Sequence, residues 1–166
     1  MLTFVVGLPL VLTFGLVAPR TPTAQPLADL AGTWTIDRGA SVPGPGDPGA
    51  DTLNFDVSSA TEVKVTRTFR GNDGGWVLPI DGTELQRTQV PGEHTATATI
   101  QGGQLVITLK DALTNPEPMR RIVTYVFTAL GDTLIVQRSI RSIFDRAKPD
   151  SDFVHAMVYR NTKSHN

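Results

Sequence analysis

The feature that most constrains this chain is a succession of short segments in which apolar and polar residues alternate, each ended by turn residues. Val63, Val65 and Phe69, for example, alternate with polar side chains, and Gly102-Gly103 joins two such segments as a tight hairpin. Beyond Val17 no segment has a sustained helical period, a fixed repeat or a coiled-coil heptad. The sequence therefore predicts an all-β protein.

Consecutive strands without helical crossovers favour an antiparallel meander. Closing it into an up-and-down β-barrel of about 8–10 strands would leave no exposed sheet edge. An open sandwich is the structural alternative. The loops include the Pro-Gly-rich stretch Gly39–Ala50, where proline lacks a backbone donor and glycine has no strand preference.

The first residues have the composition of an export signal. Met1–Val17 is apolar except for Thr3 and Thr13, and small and turn residues follow as far as Ala24. Such a run is typical of a signal peptide and is short for a membrane span. We expect a signal-peptide helix over residues 1–24, cleavage after Ala24, one domain over 25–166, and a secreted or periplasmic protein. An uncleaved anchor or a buried helix is the alternative.

The composition excludes several classes of function. Lys and Arg number 15 and Asp and Glu 16, so no positive field attracts nucleic acid or an anionic membrane. The chain contains no cysteine, which removes disulfides, thiolate catalysis and zinc-thiolate sites. With 166 residues it is long enough to bury a single core. We expect a monomer that has no stable membrane span once the signal is removed.

A Gly-x-Trp motif, Gly32-Thr33-Trp34, stands at the entrance to the first predicted strand. An indole at this point can plug one end of a closed sheet, and the glycine lets a neighbouring chain pass close by. With Ser41 and the Pro43–Gly46 segment that follow, it resembles the start of lipocalin-type barrels. It also resembles a group of small secreted bacterial lipocalin-like proteins of unknown function.

This resemblance implies three structural features. Trp34 is expected to be buried, and a basic residue late in the barrel is expected to stack on it. Arg160 is the first candidate and Arg138 the second. The loop Gly39–Ala50 would arch over the open mouth as a lid, or be an ordinary surface loop. Gln25–Leu30 could form one helical turn that closes the bottom.

Charged and polar residues interrupt the predicted apolar faces of three strands. Arg67 follows Val63 and Val65, Arg138 follows Leu134 and Val136, and His155 lies between Phe153 and Met157. A buried charge is costly unless it is paired, so two inward arginines would favour an acidic ligand, and a neutral His155 could hydrogen-bond it. If the chosen face is wrong by one residue, each arginine points to water instead. Trp76 could be core, rim or ligand-stacking.

Other catalytic and metal motifs are missing from the sequence. No histidine has metal-ligand spacing to another, and Asp145, Asp150 and Asp152 lack the glycine and glutamate of a calcium loop. The Pro-Gly loop is not a phosphate loop, and Ser41 has no serine-hydrolase motif. We therefore assign no catalytic residue, metal or cofactor.

Three functions fit these observations. The first is a lipocalin-like protein that binds a small hydrophobic or amphipathic molecule in the barrel, an acidic one if the two arginines point inward. The second is a barrel enzyme of isomerase or cyclase type that uses His155 and an arginine. The third is a filled barrel whose loops, Gly39–Ala50, Asp111–Met119 and Arg141–Ser151, bind another protein of the cell envelope. A binding barrel follows from analogy of fold.

Overall fold

The computed structural model describes residues 25–44, 49–87, 94–113, 118–144 and 151–162, and these form one antiparallel sheet and one helical turn. The predicted signal peptide lies outside the described residues. The elements are α1 (Gln25–Ala28), β1 (Gly32–Ile36), β2 (Thr52–Asp56), β3 (Glu62–Phe69), β4 (Asn72–Pro79), β5 (Leu85–Gln86), β6 (His94–Gln101), β7 (Gln104–Leu113), β8 (Met119–Leu130), β9 (Thr133–Phe144) and β10 (Ser151–Asn161).

The ten strands form a nearly closed barrel, which confirms the predicted antiparallel β-barrel. Their order is β4-β3-β2-β1-β10-β9-β8-β7-β6-β5, so each strand pairs with the next one in sequence, except that β4 and β5 are not paired as strands within the described residues, and the first strand also pairs with the last. Alternate residues of the long strands are buried, as on β7, where Leu105, Ile107 and Leu109 face inward. Because side chains alternate with a period of 2, every second residue of a strand lies on the inner face, and in these strands those residues are mainly apolar.

Closure is incomplete between β4 and β5, and we call this gap the seam. The ladder is closed below the seam, where Asp81 pairs with Thr99 and the Gly82 N–H donates to the Ala98 carbonyl at 3.0 Å. Above these contacts, β4 pairs only with β3 among the described residues. The last residue of β4 is Pro79, which has no backbone N–H to donate to a ladder.

Helix α1 and Trp34 close one end of the barrel, called here the lower end. Leu27 and Leu30 are buried, and Trp34 is 0% exposed. The indole N–H of Trp34 donates to the Leu30 carbonyl at 2.8 Å. This bond satisfies the only polar atom of a side chain that is otherwise surrounded by the core. The prediction of one helical turn at the barrel bottom is therefore confirmed.

The predicted stacking of Arg160 on Trp34 is wrong, because Arg160 lies on the outer face. Trp34 is opposite Asn161 in the β1–β10 register, so the residue before Asn161 points the other way. The Arg160 side chain is 49% exposed and pairs with Asp37 at 3.2 Å. It also donates to the Thr133 hydroxyl at 2.6 Å. Among the described residues, Trp34 is thus covered by α1 and the core.

The first half of the predicted loop Gly39–Ala50 does not leave the sheet at once. The Val42 N–H donates to the Ala156 carbonyl at 2.8 Å, forming an isolated bridge with β10. Between this bridge and β1, the Ser41 hydroxyl accepts from the Val158 N–H at 3.0 Å and donates to the Asp37 carbonyl at 2.6 Å. The Ser41 hydroxyl thus takes the place of a backbone acceptor for the Val158 N–H. The pattern of prolines and glycines in this loop does not predict such a bond. Residues 45–48 lie outside the described part.

Candidate functional site

Three polar side chains form a row on the inner face of adjacent strands. Arg138 of β9 is opposite Tyr125 of β8 and opposite His155 of β10 in the two ladders. The Arg138 guanidinium carbon lies 5.5 Å from the centre of the Tyr125 ring, and its Nη1 lies 3.5 Å from the His155 Nε2. Register alone therefore places a hydroxyl, a guanidinium and an imidazole side by side.

Arg67 joins this row from the other side of the barrel. It extends from β3, which is not adjacent to β8 in the sheet, and its Nη1 lies 3.4 Å from the Tyr125 hydroxyl oxygen. Its guanidinium carbon lies 5.3 Å from the centre of the Trp76 ring and 5.4 Å from that of Tyr125. Such a position between two ring faces partly replaces the water that a cation loses on burial. Arg67, Tyr125, Arg138 and His155 together are called the cation cluster.

The contacts of Arg67 with the described residues are polar and aromatic and include no acidic group. Within the described ranges, no carboxylate forms an ion pair with it, and its contacts are the Tyr125 hydroxyl and the two aromatic rings. Both Arg67 and Arg138 are half-buried. A half-buried guanidinium in this position favours an anion, because its donors are directed into the barrel.

The surroundings change the protonation of the groups around the cluster. Burial lowers the pKa of the Arg138 guanidinium. Burial, and after it the neighbouring charge of Arg138, lowers the pKa of His155, so the imidazole is neutral at pH 7. Burial raises the pKa of the Tyr159 hydroxyl to about 12. At neutral pH the cluster therefore contains cations and neutral donors.

One ring nitrogen of His155 is buried without a hydrogen bond to the described residues. The side chain is 7% exposed, and the nitrogen concerned is Nδ1. Gly44 lies directly against this ring, since a Cβ at Gly44 would be 2.3 Å from the Nδ1. The described part of the predicted lid loop thus reaches the cation cluster. Whether it acts as a lid stays a prediction.

A second polar cluster lies at the opposite, upper end of the barrel from α1. Asp111 of β7 is 5% exposed and accepts from Arg87 at 3.1 Å and from Arg121 at 2.8 Å. Its Oδ1 is also 2.7 Å from the His94 Nδ1. Burial alone would raise the pKa of Asp111, but the hydrogen bonds from His94 and Arg121 outweigh it and lower the pKa. Arg87 directly follows β5, so this network connects β5 to β6, β7 and β8.

The structure brings the four predicted ligand-binding residues to one region. Arg67, Arg138 and His155 lie on the inner face, as the alternation predicts, and Trp76 contacts Arg67. The motif residues Gly32, Trp34 and Arg160 do not belong to this region. Contact of any of these residues with a ligand stays a prediction.

Sequence reasoning did not identify Tyr125, Tyr159 or the Asp111 network as parts of a site. Tyr125 was recognisable in principle, since it alternates with Val123 and Phe127 on the face now seen to be internal. Its position opposite Arg138 depends on the β8–β9 register, which cannot be read from the sequence of either strand alone. The Asp111 network joins residues from four segments and has no local motif. Within the described ranges, no three His, Cys, Asp or Glu side chains assemble as a metal site would.

No protein-family model matches the chain, and no curated protein matches it. Among solved structures, the chain is similar to a secretary abundant heat soluble (SAHS) protein from Ramazzottius varieornatus. The TM-score is 0.56 with 11% sequence identity, over 81% of this chain and 96% of the other. In the part of the chain that the structure describes, no helix is long and apolar enough to cross a membrane. The comparison shows a shared fold: this chain is an all-β, nearly closed ten-stranded barrel of lipocalin-like architecture.

Proposed function

We propose that the barrel binds a small amphipathic molecule whose acidic group is held by Arg67 and Arg138. The observation that carries this proposal is the position of Arg67, a half-buried cation directed into the barrel and paired with aromatic groups instead of a carboxylate. A carboxylate or phosphate oxygen supplies the charge that this site lacks, and a guanidinium binds such oxygens in a fixed planar geometry.

The groups around the arginines suit an anionic head and an apolar tail. The Tyr125 hydroxyl and a neutral His155 can add hydrogen bonds without adding charge. The surrounding inner face is apolar and includes Phe55, Phe127 and Val65, which exclude water and strengthen a charge-assisted bond. Convergence of His155 and Arg138 also fits the barrel-enzyme alternative.

The test measures binding of cis-parinaric acid, a fluorescent polyene carboxylate, and of its methyl ester, which has no charge. Arg67→Met and Arg138→Met keep much of the apolar stem, and each is expected to weaken acid binding about 10–100-fold, the worth of one charged hydrogen bond. Binding of the ester should change little. Arg160→Met is the matched control, because Arg160 is on the outer face. Equal acid binding by all variants would contradict the proposal, as would no binding to the unaltered protein.

The proposed setting of this function is outside the cytoplasm. The composition of residues 1–24 supports export, since an apolar run followed by small residues is what a signal peptidase cleaves. Expression of the whole chain with a C-terminal tag in a bacterial host, followed by fractionation, tests this. A secreted or periplasmic product whose N-terminal residue is Gln25 is expected. A full-length product that stays in the cytoplasm would refute it.

A further inference from the structure

The seam contains a cavity whose lining includes residues of both the outer and the inner face of the barrel. Its volume is about 370 Å³, at the small end of the range for small-molecule pockets. Val77 and Leu85, on either side, are 51% and 38% exposed. Trp76, Leu78 and Ala96, which also line it, belong to the inner face or are packed against the core. The cavity therefore lies at the place in the sheet where backbone pairing is interrupted.

The seam cavity and the cation cluster share one wall. Trp76 lines the cavity, and its ring lies 5.3 Å from the Arg67 guanidinium carbon and 5.5 Å from the Tyr125 ring centre. A molecule that places an acidic group on Arg67 thus has an apolar space directly next to that group. Much of the remaining inner face is tightly packed: Val63, Ile107 and Leu134 are fully buried.

We propose that the seam cavity holds the apolar part of the ligand and is the opening through which the ligand enters. This inference rests on the proposed function, whose ligand class is an acid with an apolar tail. Backbone pairing resists entry elsewhere along the described ladders, because separating two paired strands breaks a row of hydrogen bonds. Among the described residues, β5 pairs with β6 through Leu85 and Gln86. The Arg87 N–H donates to the His94 carbonyl at 2.7 Å. The position of β5 also depends on the Arg87 side chain, which binds Asp111.

The test links the two sides of the seam covalently. The chain has no cysteine, so two introduced thiols react without background. Val77→Cys with Leu85→Cys spans the seam. Arg141→Cys with Asp152→Cys is the matched control, because these exposed residues are directly opposite in the closed β9–β10 ladder and do not line the seam cavity. Both pairs are exposed, so neither disturbs the core, and circular dichroism and the thermal midpoint verify folding of each protein.

In each protein the two thiols are bridged with a bifunctional methanethiosulfonate reagent. A reductant later removes the bridge, so the same sample is measured with and without it. We expect the seam bridge to slow association of cis-parinaric acid at least tenfold and release to restore the rate. The control bridge should change the rate less than twofold. Unchanged association with the seam bridged would overturn the inference while leaving the proposed function intact. If the unbridged proteins do not bind the probe, the proposed function fails and the inference fails with it.

The tail subsite has an independent measurement. For saturated n-alkyl carboxylates that compete with the probe, each added methylene should tighten binding about fourfold while it enters the cavity. Ala96→Leu adds volume to the cavity wall and should end this gain at a shorter chain. If the affinity stops increasing at the same chain length in Ala96→Leu and in the unaltered protein, the tail lies elsewhere.

Discussion

At the scale of single residues, the informative signal is a charge on an otherwise apolar alternating face. Arg67, Arg138 and His155 were all found in this way, and the structure places each on the inner face. The placement of Arg160 on Trp34 came from a resemblance and not from its own alternation, and that placement was wrong. Tyr159 before it is buried and Arg160 is exposed, as the period of 2 requires. A polar residue on an apolar strand face thus predicts orientation, but its partners depend on register.

The lowered pKa of His155 makes stability depend on pH. The unfolded imidazole has a pKa of about 6.5, so below that value the unfolded chain takes up this proton before the folded chain does. The free energy of unfolding should therefore fall as pH decreases from about 7 to 5, by about 1.4 kcal/mol for each unit by which folding lowers the pKa. His155→Gln should flatten this dependence. Urea denaturation at three pH values measures it, and parallel curves for both proteins would count against the buried neutral state.

Ligand binding should depend on the same proton. An anion held by Arg138 would lie near His155 and favour its charged form, so binding would raise the pKa of His155 and take up a proton. We expect the affinity for cis-parinaric acid to increase between about pH 8 and 6. His155→Gln should lose this increase, whereas the distant surface variant Arg160→Met should retain it. If the dependence is equal in all three proteins, His155 does not face the acidic group.

At the scale of elements, the two ends of the barrel are stabilised by different means. The lower end is closed by apolar packing of α1 and Trp34, and the sequence predicted this from the motif and the short linker. The upper end is held by the buried Asp111 and its cationic partners, which the sequence did not reveal. Buried carboxylates are rare and are tolerated only with several donors, and such donors come from different strands. Long-range networks of this kind leave no pattern in a single segment.

Truncation of Leu30 tests the contribution of the lower end. Leu30 is 1% exposed, and Leu30→Ala should lower the free energy of unfolding by about 3 kcal/mol through lost burial and the resulting cavity. The hydrogen bond from Trp34 uses the backbone carbonyl of residue 30, so it remains in the variant. Asp29→Ala, on the exposed side of the same turn, is the control and should leave the unfolding midpoint unchanged. Equal effects of the two changes would mean that α1 does not seal the barrel.

Removal of the Asp111 charge tests the upper end. Asp111→Asn keeps the shape but leaves Arg87 and Arg121 without their carboxylate, and should cost about 3 kcal/mol. Glu84→Gln is the comparison, because Glu84 pairs with Lys110 at 2.5 Å on the exposed surface. That change should have little effect, since exposed pairs are screened by water. Thermal unfolding distinguishes them, and a Glu84→Gln loss as large as that of Asp111→Asn would show that the buried network adds no special stability.

At the scale of the whole molecule, the number and direction of strands could be read from the sequence, but the place of incomplete closure could not. The alternating segments and the Gly102-Gly103 hairpin predicted an antiparallel barrel. Within the described residues, β5 is only Leu85–Gln86. Pairing of β4 with β5 would depend on the geometry of the whole ring, which local patterns do not determine.

Incomplete closure should make local stability differ from strand to strand around the barrel. Strands β8 and β9 have a paired neighbour on both sides along most of their length, whereas β4 has one and β5 pairs through two residues. An amide that points into the seam can exchange without breaking a ladder, while one in β9 requires a larger opening. Native-state hydrogen exchange should therefore show the seam-facing amides of residues 75–78 and 85–86 exchanging at least a hundredfold faster than buried positions of residues 134–140. Uniform protection around the barrel would mean that the seam is closed in solution, and the side entrance proposed above would then have no opening.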